Sequence, residues 1–325
     1  MALLLRVYFN AVLGGLGGLI GWMLFGVFAD PTRMDQHGQA LLGGALIGGS
    51  IGYLVVSVEA LRDRALIRFC RLATYGLVLG ALGGAPGFWV GDHINSLLLE
   101  RYGARKFAVA LGARGVGWMV LGWAVGLSEG VAARSLGKMS YGAVGGALGG
   151  LAGGSLFAAL YQWAITQPAG ALAPGDSAAL AGAPGLVVLG ACIGALSAFV
   201  QGVFQPASVR VVRGWQEGRE YPLDRAFAML GRDEGADVAL FRDMRIEKQH
   251  AVIERTRHEF VLHNRAAPAQ TLVNDAPVVG RCPLADGDRI QLGGVVLRFQ
   301  LRAATVRKRR PPALLSQPAV VDMHR

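Results

Sequence analysis

Long apolar stretches alternate with short polar ones through the first two-thirds of the chain. Six apolar segments can be marked, at about 7–28, 39–59, 72–91, 107–128, 141–163 and 185–205. Each has about the 20 residues that an α-helix needs to cross roughly 30 Å of hydrocarbon. The pattern predicts an N-terminal all-α polytopic membrane bundle over residues 1–205. Its first segment is too long for the apolar core of a cleaved signal peptide, so we expect it to be a membrane helix.

The six segments also repeat in pairs. The first segment of each pair carries an aromatic residue, a valine and a Gly-x-x-x-Gly motif at a constant spacing, beginning at Phe9, Tyr75 and Tyr141. We therefore predict six helices arranged as three pseudo-repeated hairpins in one orientation. Because small residues let helix backbones approach closely in lipid, the glycine motifs predict that the first helix of each hairpin packs at the centre. Pro86 is expected to kink or end its helix.

The second segment of each pair carries a polar side chain at the equivalent place, namely Glu59, Glu129 and Gln201. Ionisable groups are costly in hydrocarbon, so they raise a functional hypothesis. A threefold arrangement would gather them into a polar ring at one mouth of the bundle, which would suit a cation pathway. The alternative is that they lie at interface depth, solvated or paired with Arg62 or Arg134.

Composition supports a membrane protein, with a mean hydropathy of +0.40 and 48 glycines among 325 residues. Basic residues collect in gaps that an N-inside, C-inside arrangement places in the cytoplasm, whereas residues 165–184 contain no Lys or Arg. We therefore expect a multi-pass protein, of bacterial inner-membrane type, with both termini in the cytoplasm. Pairing with further subunits in the membrane, as a homo- or hetero-oligomer, stays open at this point.

The net charge of +10 is spread over both parts of the chain and is too weak to suggest nucleic acid as a partner. The basic tail at 303–325, expected to be disordered, contains Arg307, Lys308, Arg309 and Arg310 and suits contact with anionic lipid headgroups, with a merely solvated tail as the alternative. Three scattered cysteines without a CxxC pair predict neither disulfides nor a metal site, and no cofactor motif is found.

The pattern changes at residue 208. Short runs of alternating apolar and polar residues, separated by turn residues, predict an all-β sandwich over 208–302. The predicted strands include 209–212, 226–230, 251–254, 260–262 and 295–301.

The order of motifs in this part resembles the forkhead-associated (FHA) domain. The matching runs are Met229-Leu230-Gly231-Arg232, Asp237-Val238-Ala239-Leu240, Ile246-Glu247-Lys248-Gln249-His250, Thr271-Leu272-Val273-Asn274, and Leu284-x-x-Gly287-Asp288. The resemblance implies recognition of phosphothreonine by loops at one end of a sandwich. It carries over Arg232, Lys248 and Thr271 as phosphate ligands, with Glu247 and Asn274 in the same candidate site. Gly231 and His250 are expected to be structural.

The sequence departs from the family pattern at two places. Glu247 replaces the motif's serine, and Ala269-Gln270 replaces its Asn-Gly. A carboxylate repels a phosphate dianion and offers it no hydrogen-bond donor. One hypothesis is that Glu247 pairs with Arg232 or Lys248, so that the domain binds unphosphorylated partners or none at this edge. The alternative is that Arg232 and Lys248 suffice for phosphate-dependent binding.

These observations favour a membrane-anchored interaction module that recruits a cytoplasmic protein, with phosphothreonine as the candidate recognised group. The alternative is a channel or transporter of ions or small solutes that is regulated through its FHA-like domain. An enzyme is not expected, because the sequence contains no convincing nucleophile and base set, paired carboxylates or phosphate-binding loop.

Overall fold

The computed structural model describes residues 2–29, 34–63, 66–102, 107–133, 135–165, 176–233, 235–256, 259–266 and 270–301. Six α-helices come first, as predicted, and an all-β domain follows. The helices are α1 (Ala2–Phe28), α2 (Gln36–Asp63), α3 (Leu66–Tyr102), α4 (Phe107–Ala133), α5 (Leu136–Ile165) and α6 (Asp176–Phe204). The tail at 303–325, Arg134 and Ala269 lie outside the described residues, so the structure leaves their predicted roles untouched.

Five of the described helices are long and apolar enough to cross a membrane, namely α1, α2, α4, α5 and α6. The third helix, α3, differs from the predicted segment at 72–91, because it runs for 37 residues and continues through Pro86. A proline inside a helix removes one hydrogen bond and crowds the preceding turn. Small residues, Gly83, Gly84 and Ala85, come directly before it, and membrane helices tolerate such a site. Pro86 therefore does not end its helix, and the alternative expectation of a kink there stays a prediction.

The centre of the bundle is formed by the second helix of each predicted hairpin, contrary to the expectation that the first helices lie there. Ile51 on α2, Leu121 on α4 and Ile193 on α6 are fully buried and belong to one apolar cluster. The first helices lie on the flanks, where their repeated valines are about half exposed: Val12 48%, Val78 46% and Val144 54%. Branched side chains fill a central space that a glycine face cannot fill, which explains the reversed arrangement.

The glycine motifs serve instead to bring each flanking helix against a central one. Consecutive helices pack in chain order, and α1 closes the ring against α6. A Cβ atom at Gly14, Gly80 or Gly146 would collide with a backbone oxygen of the neighbouring helix, contributed by Gly190, Gly48 and Gly122 respectively. Such close backbone approach maximises van der Waals contact between helices. The threefold repeat stays a sequence-based prediction, but its glycines make equivalent contacts.

The C-terminal part is a sandwich of two sheets. Its strands are β1 (Ala207–Arg213), β2 (Glu220–Pro222), β3 (Phe227–Gly231), β4 (Val238–Ala239), β5 (Ala251–Arg255), β6 (Phe260–Asn264), β7 (Thr271–Val273), β8 (Ala276–Pro277), β9 (Arg281–Leu284), β10 (Arg289–Leu292) and β11 (Val295–Leu301). One sheet has the order β2-β1-β11-β10-β7-β8 and the other β4-β3-β5-β6-β9. The β3–β4 pair is parallel and the remaining pairs are antiparallel.

Alternating side chains of both sheets form the core of the sandwich. Leu230, Ile253, Leu262, Ile290 and Phe299 are among its least exposed members. Each such side chain contributes about 1.5–3 kcal/mol when it is removed from water. This core holds the strand ends in register, so the loops between β3 and β4, β4 and β5, and β6 and β7 are carried by rigid strands.

Candidate functional site

The loops at one end of the sandwich are tied together through Gly231, the last residue of β3. A Cβ atom there would collide with the backbone oxygen of Lys248. The absence of a side chain lets the Arg232 amide donate to the Glu247 carbonyl over 3.0 Å, and the His250 amide donates to the Leu230 carbonyl over 3.0 Å. The predicted structural role of Gly231 is therefore close backbone approach between two loops.

A buried chain of hydrogen bonds runs behind these loops. The Glu247 amide donates to Nδ1 of His250 over 3.0 Å, which makes that nitrogen an acceptor. The other ring nitrogen, Nε2, then carries the proton and lies 3.0 Å from Oγ1 of Thr271. That hydroxyl donates to Oδ1 of Asn264 over 2.8 Å. Burial lowers the pKa of His250 below its ordinary value of 6.5, which keeps the ring in the neutral form that this chain requires.

Two residues of the predicted site, Thr271 and Asn274, have their side chains engaged within the domain. The Thr271 side chain is fully buried, and its hydroxyl is engaged by His250 and Asn264, so it cannot reach a ligand at the surface. Asn274 lies at the other end of β7 in a left-handed turn with φ of 51°. Its amide nitrogen donates to Asp288 over 2.9 Å, and its oxygen accepts from the Arg289 amide over 3.0 Å. The Thr271 hydroxyl is therefore corrected to a structural role, whereas contact of the exposed Asn274 with a bound peptide stays a prediction.

Arg232 lies at the mouth of these loops without an acidic partner among the described residues. One guanidinium nitrogen, Nη1, lies 3.0 Å from the sulfur of Met244, which is a weak acceptor. Its Nε atom is buried and has no hydrogen-bond partner. Because Nε is buried, a ligand at the surface would have to reach the outer Nη atoms, and Nη1 is held only by the weak sulfur acceptor.

The expected ion pair of Glu247 is not formed. Over the described part of the chain, its carboxylate makes no salt bridge with Arg232 or Lys248. Glu247 and Lys248 are both exposed. The hypothesis that Glu247 takes the place of a phosphate by pairing with these cations is therefore wrong. The edge presents Arg232 and Lys248 as two uncompensated positive charges beside one exposed carboxylate.

Sequence reasoning missed the residues that shape this edge from behind. Asp243 accepts from the Gly294 amide over 2.7 Å and from Arg245, and thereby fixes the β4–β5 loop to the start of β11. The Arg245 side chain and nearby amides lower the pKa of Asp243 to about 2. Asn264 was missed as well, since an Asn at a strand end has no signal of its own; its relation to Thr271 emerges only when β6 and β7 are placed in space.

The polar ring predicted in the bundle exists, but two cations fill it. Glu59 accepts from Nη2 of Arg6 over 2.7 Å and lies 3.2 Å from Nζ of Lys138. Glu129 lies 3.4 Å from the same Nζ and accepts from the Gln201 side chain over 2.5 Å. These five residues form what we call the charge cluster.

Of the two partners expected for these glutamates, Arg134 lies outside the described residues and only Arg62 can be placed. Arg62 was expected to pair with them, but its guanidinium lies over the ring of Phe9 instead, 5.4 Å from the centroid. Arg6 and Lys138 are contributed by the starts of α1 and α5, which meet the ends of α2, α4 and α6 at one end of the bundle. The charge cluster is electrically balanced, with two carboxylates and two cations around one amide.

The β domain sits against the same end of the bundle. The Ser135 hydroxyl, just before α5, donates to the backbone oxygen of Asp224 over 2.9 Å. Burial raises the pKa of Asp224, while the nearby charges of Lys138 and Arg6 act in the opposite direction. The charge cluster therefore lies beneath the contact between the two parts of the chain.

Comparison with known proteins concerns the β domain. Residues 210–303 match the family model described as the inner membrane component of the type III secretion system (T3SS), cytoplasmic domain. No curated protein matches the chain at a significant level. This match and the two-sheet architecture define an FHA-like domain, so the resemblance found in the sequence is confirmed; it is preceded here by a bundle of apolar helices.

Solved FHA domains are similar to the same third of the chain. An FHA domain studied for phosphothreonine-dependent interactions is 28% identical, covers 30% of this chain and 97% of its own, and has a TM-score of 0.27. The FhaA FHA domain, solved with the intracellular domain of another protein, is 28% identical over 29% and 99%, with a TM-score of 0.26. An FHA domain from Chlamydia trachomatis is 22% identical over 30% and 99%, with a TM-score of 0.28.

Proposed function

We propose that the protein is a bacterial inner-membrane anchor that holds an FHA-like domain at the cytoplasmic surface and recruits a protein partner through Arg232 and Lys248, with phosphothreonine as the recognised group. The observation that carries this proposal is the half-buried guanidinium of Arg232 at the loop edge, which has no acidic partner among the described residues and only the sulfur of Met244 beside Nη1. A planar guanidinium binds two phosphate oxygens at once, and a neighbouring ammonium adds a second charge.

The exposed carboxylate of Glu247 opposes this binding but does not outweigh it. In water, two unit charges about 4 Å apart interact by about 1 kcal/mol, so a dianion at that distance loses about 2 kcal/mol, and salt reduces the loss. Hydrogen bonds to charged groups contribute about 1.5–3 kcal/mol each. Two bonds from Arg232 and one from Lys248 therefore exceed the repulsion. The result is a weaker phosphate site than one with serine at position 247.

The anchoring part of the proposal rests on the helices. Five described helices have the length and composition to span a membrane, and the matched family model describes the cytoplasmic domain of an inner membrane component. The cytoplasmic location of both termini is part of the same proposal. It agrees with the basic residues Arg6, Arg62 and Lys138 near the end of the bundle that meets the β domain.

Binding of phosphothreonine peptides to the full-length protein in nanodiscs tests the proposal. An array of peptide pairs, identical except for the phosphate, should yield sequences that bind in the phosphorylated form and lose at least tenfold in affinity with Arg232→Ala. Arg255→Ala is the matched control, because Arg255 is exposed at the far end of β5. Equal binding of both peptide forms, unaffected by Arg232→Ala, would contradict the phosphate-dependent part.

The transport alternative is less well supported by the bundle. Ile51, Leu121 and Ile193 fill its centre, and the polar ring is occupied by Arg6 and Lys138. A conducting path would have to displace both layers. Reconstituted liposomes provide the test: ion or solute flux that changes with Glu59→Gln or Glu129→Gln would favour transport over anchoring.

A further inference from the structure

A cavity of about 560 Å³ lies where the helical bundle meets the β domain. Its walls come from the starts of α1, α3 and α5, the ends of α2, α4 and α6, and the segment from β1 to the β3–β4 loop. The volume falls in the range of about 300–1,000 Å³ that is typical of small-molecule sites. The charge cluster forms part of one wall, and five further arginines, Arg62, Arg71, Arg210, Arg219 and Arg225, lie among the other lining residues.

Three of these arginines have no ion pair among the described residues: Arg62 in the last turn of α2, Arg71 near the start of α3, and Arg210 on β1. All three are exposed to the cavity or its opening. Burial lowers the pKa of the nearby Arg219, and the like charge of Arg62 acts in the same direction. The cavity therefore holds a concentration of positive charge that the protein itself does not neutralise.

The acidic residues of the cavity are largely engaged elsewhere. Glu59 and Glu129 are paired within the charge cluster, and Asp237 forms a 2.8 Å ion pair with Arg225. Asp224 is half-buried, and burial raises its pKa. Glu220 is exposed and lies opposite Arg210 in the β1–β2 register, but the two side chains form no ion pair among the described residues. Arg62 and Arg71 are then left without an acidic counterpart on the described walls.

The position of these arginines along the bundle indicates what kind of anion fits. The apolar span of α2 ends at Arg62, and the apolar segment of α3 begins just after Arg71. They lie where the hydrocarbon of a bilayer gives way to its headgroups. Leu5, on the cavity wall, is 47% exposed, and Leu61, next to Arg62 in α2, is 51% exposed. Basic pockets between helices at the cytoplasmic surface suit phosphate-bearing headgroups.

We propose that this cavity is a binding site for a phosphate-bearing anion, held by Arg62, Arg71 and Arg210 between the membrane bundle and the β domain. A phospholipid headgroup supplies this chemistry with its acyl chains against the exposed leucines, and a soluble phosphorylated compound supplies it without them. The site is separate from the loop edge that carries Arg232, so it stands independently of phosphothreonine recognition. Its occupant would bridge both parts of the chain.

The test uses full-length protein, delipidated in neutral detergent and titrated with phosphatidylglycerol or phosphatidylcholine. Native mass spectrometry counts bound lipid, and the apparent melting temperature reports the stabilisation. We expect at least tenfold tighter binding of phosphatidylglycerol, and loss of that preference in the triple variant Arg62→Gln, Arg71→Gln, Arg210→Gln. Arg101→Gln, at the far end of α3, should keep it.

A parallel titration with inorganic phosphate and glycerol phosphate distinguishes the two sources. If either compound binds as tightly as phosphatidylglycerol and depends on the same arginines, the site holds a soluble anion. Equal binding of both lipids together with no binding of soluble phosphates would overturn the proposal, as would an anion preference that survives in the triple variant. If the triple variant misfolds, Arg71→Gln alone, which should weaken anion binding severalfold, provides the same readout.

Discussion

Removal of the charge of Lys138 tests the charge cluster directly. The Lys138 side chain is 8% exposed, and its ammonium lies 3.4 Å from Glu129. At an effective dielectric constant of about 20, two unit charges at that distance attract by about 5 kcal/mol. Desolvation of the buried ions offsets much of this attraction, but loss of one partner leaves the other charge buried alone. We therefore expect Lys138→Met to lower the free energy of unfolding by about 3–5 kcal/mol.

The double variant Lys138→Met with Glu129→Gln separates charge balance from packing. It keeps the cluster neutral, with Arg6 and Glu59 still paired, so we expect it to be destabilised by only about 1–2 kcal/mol. The assay is unfolding by SDS in mixed micelles, followed by tryptophan fluorescence, with the exposed Lys248→Met as control. Losses in the double variant that equal the sum of the two single losses would refute the coupling between these side chains.

Three further outcomes are expected. Burial lowers the pKa of His250, so the contribution of the neutral ring to stability is complete above the ordinary pKa of 6.5 and is lost as pH falls through the pKa of the folded state. The apparent melting temperature should therefore drop on acidification to about pH 5, and drop less in His250→Gln. Parallel pH curves for the two proteins would contradict this prediction. Gly146→Ala should destabilise the bundle, because the added methyl group forces α4 and α5 apart. Gly26→Ala is the control, because Gly26 has open space around it, and it should be neutral or stabilising by up to about 1 kcal/mol. Similar melting temperatures for the two variants would contradict close packing at Gly146. Glu247→Ser should strengthen phosphothreonine peptide binding by about 1–2 kcal/mol, roughly 5–30-fold, in a fluorescence anisotropy titration, and unchanged affinity would show that the carboxylate lies too far from the phosphate to matter.

The helical part was predictable in number and approximate place but not in arrangement. Apolar runs identify helices because the length of each run reflects the hydrocarbon thickness. The choice between centre and flank depends on which faces of several helices meet, and glycine motifs are compatible with either position. Gly80 lies against Gly48 on a flank, while Ile51, one turn further along α2, fills the centre. The sequence pattern marks both residues as apolar or small and does not say which one the neighbours surround.

Part of the candidate site was predictable, namely the residues whose role follows from their own side chain or, for glycine, from its absence. Gly231 and His250 have the structural roles expected of them, and Arg232 lies at the loop edge. The burial of the Thr271 hydroxyl and the missing ion pair of Glu247 were not predictable, because both depend on the path of neighbouring loops. Such details are fixed by tertiary contacts that no local pattern encodes.

The junction between the two parts determines how the recognition edge is presented. Only Gln205 and Pro206 separate α6 from β1, so the β domain has little freedom to reorient relative to the bundle. Strand β3 leads from the contact with the bundle to Arg232, over about 16 Å if each of five residues advances 3.3 Å. Asp237 then returns the loop towards the junction, where it accepts from the Met229 amide and pairs with Arg225. The loop that carries Arg232 is therefore anchored on the wall of the anion cavity. A partner bound at Arg232 and an anion bound in the cavity lined by Ala236 and Asp237 would both stabilise the β3–β4 loop, so we expect occupancy of one site to favour the other rather than compete with it.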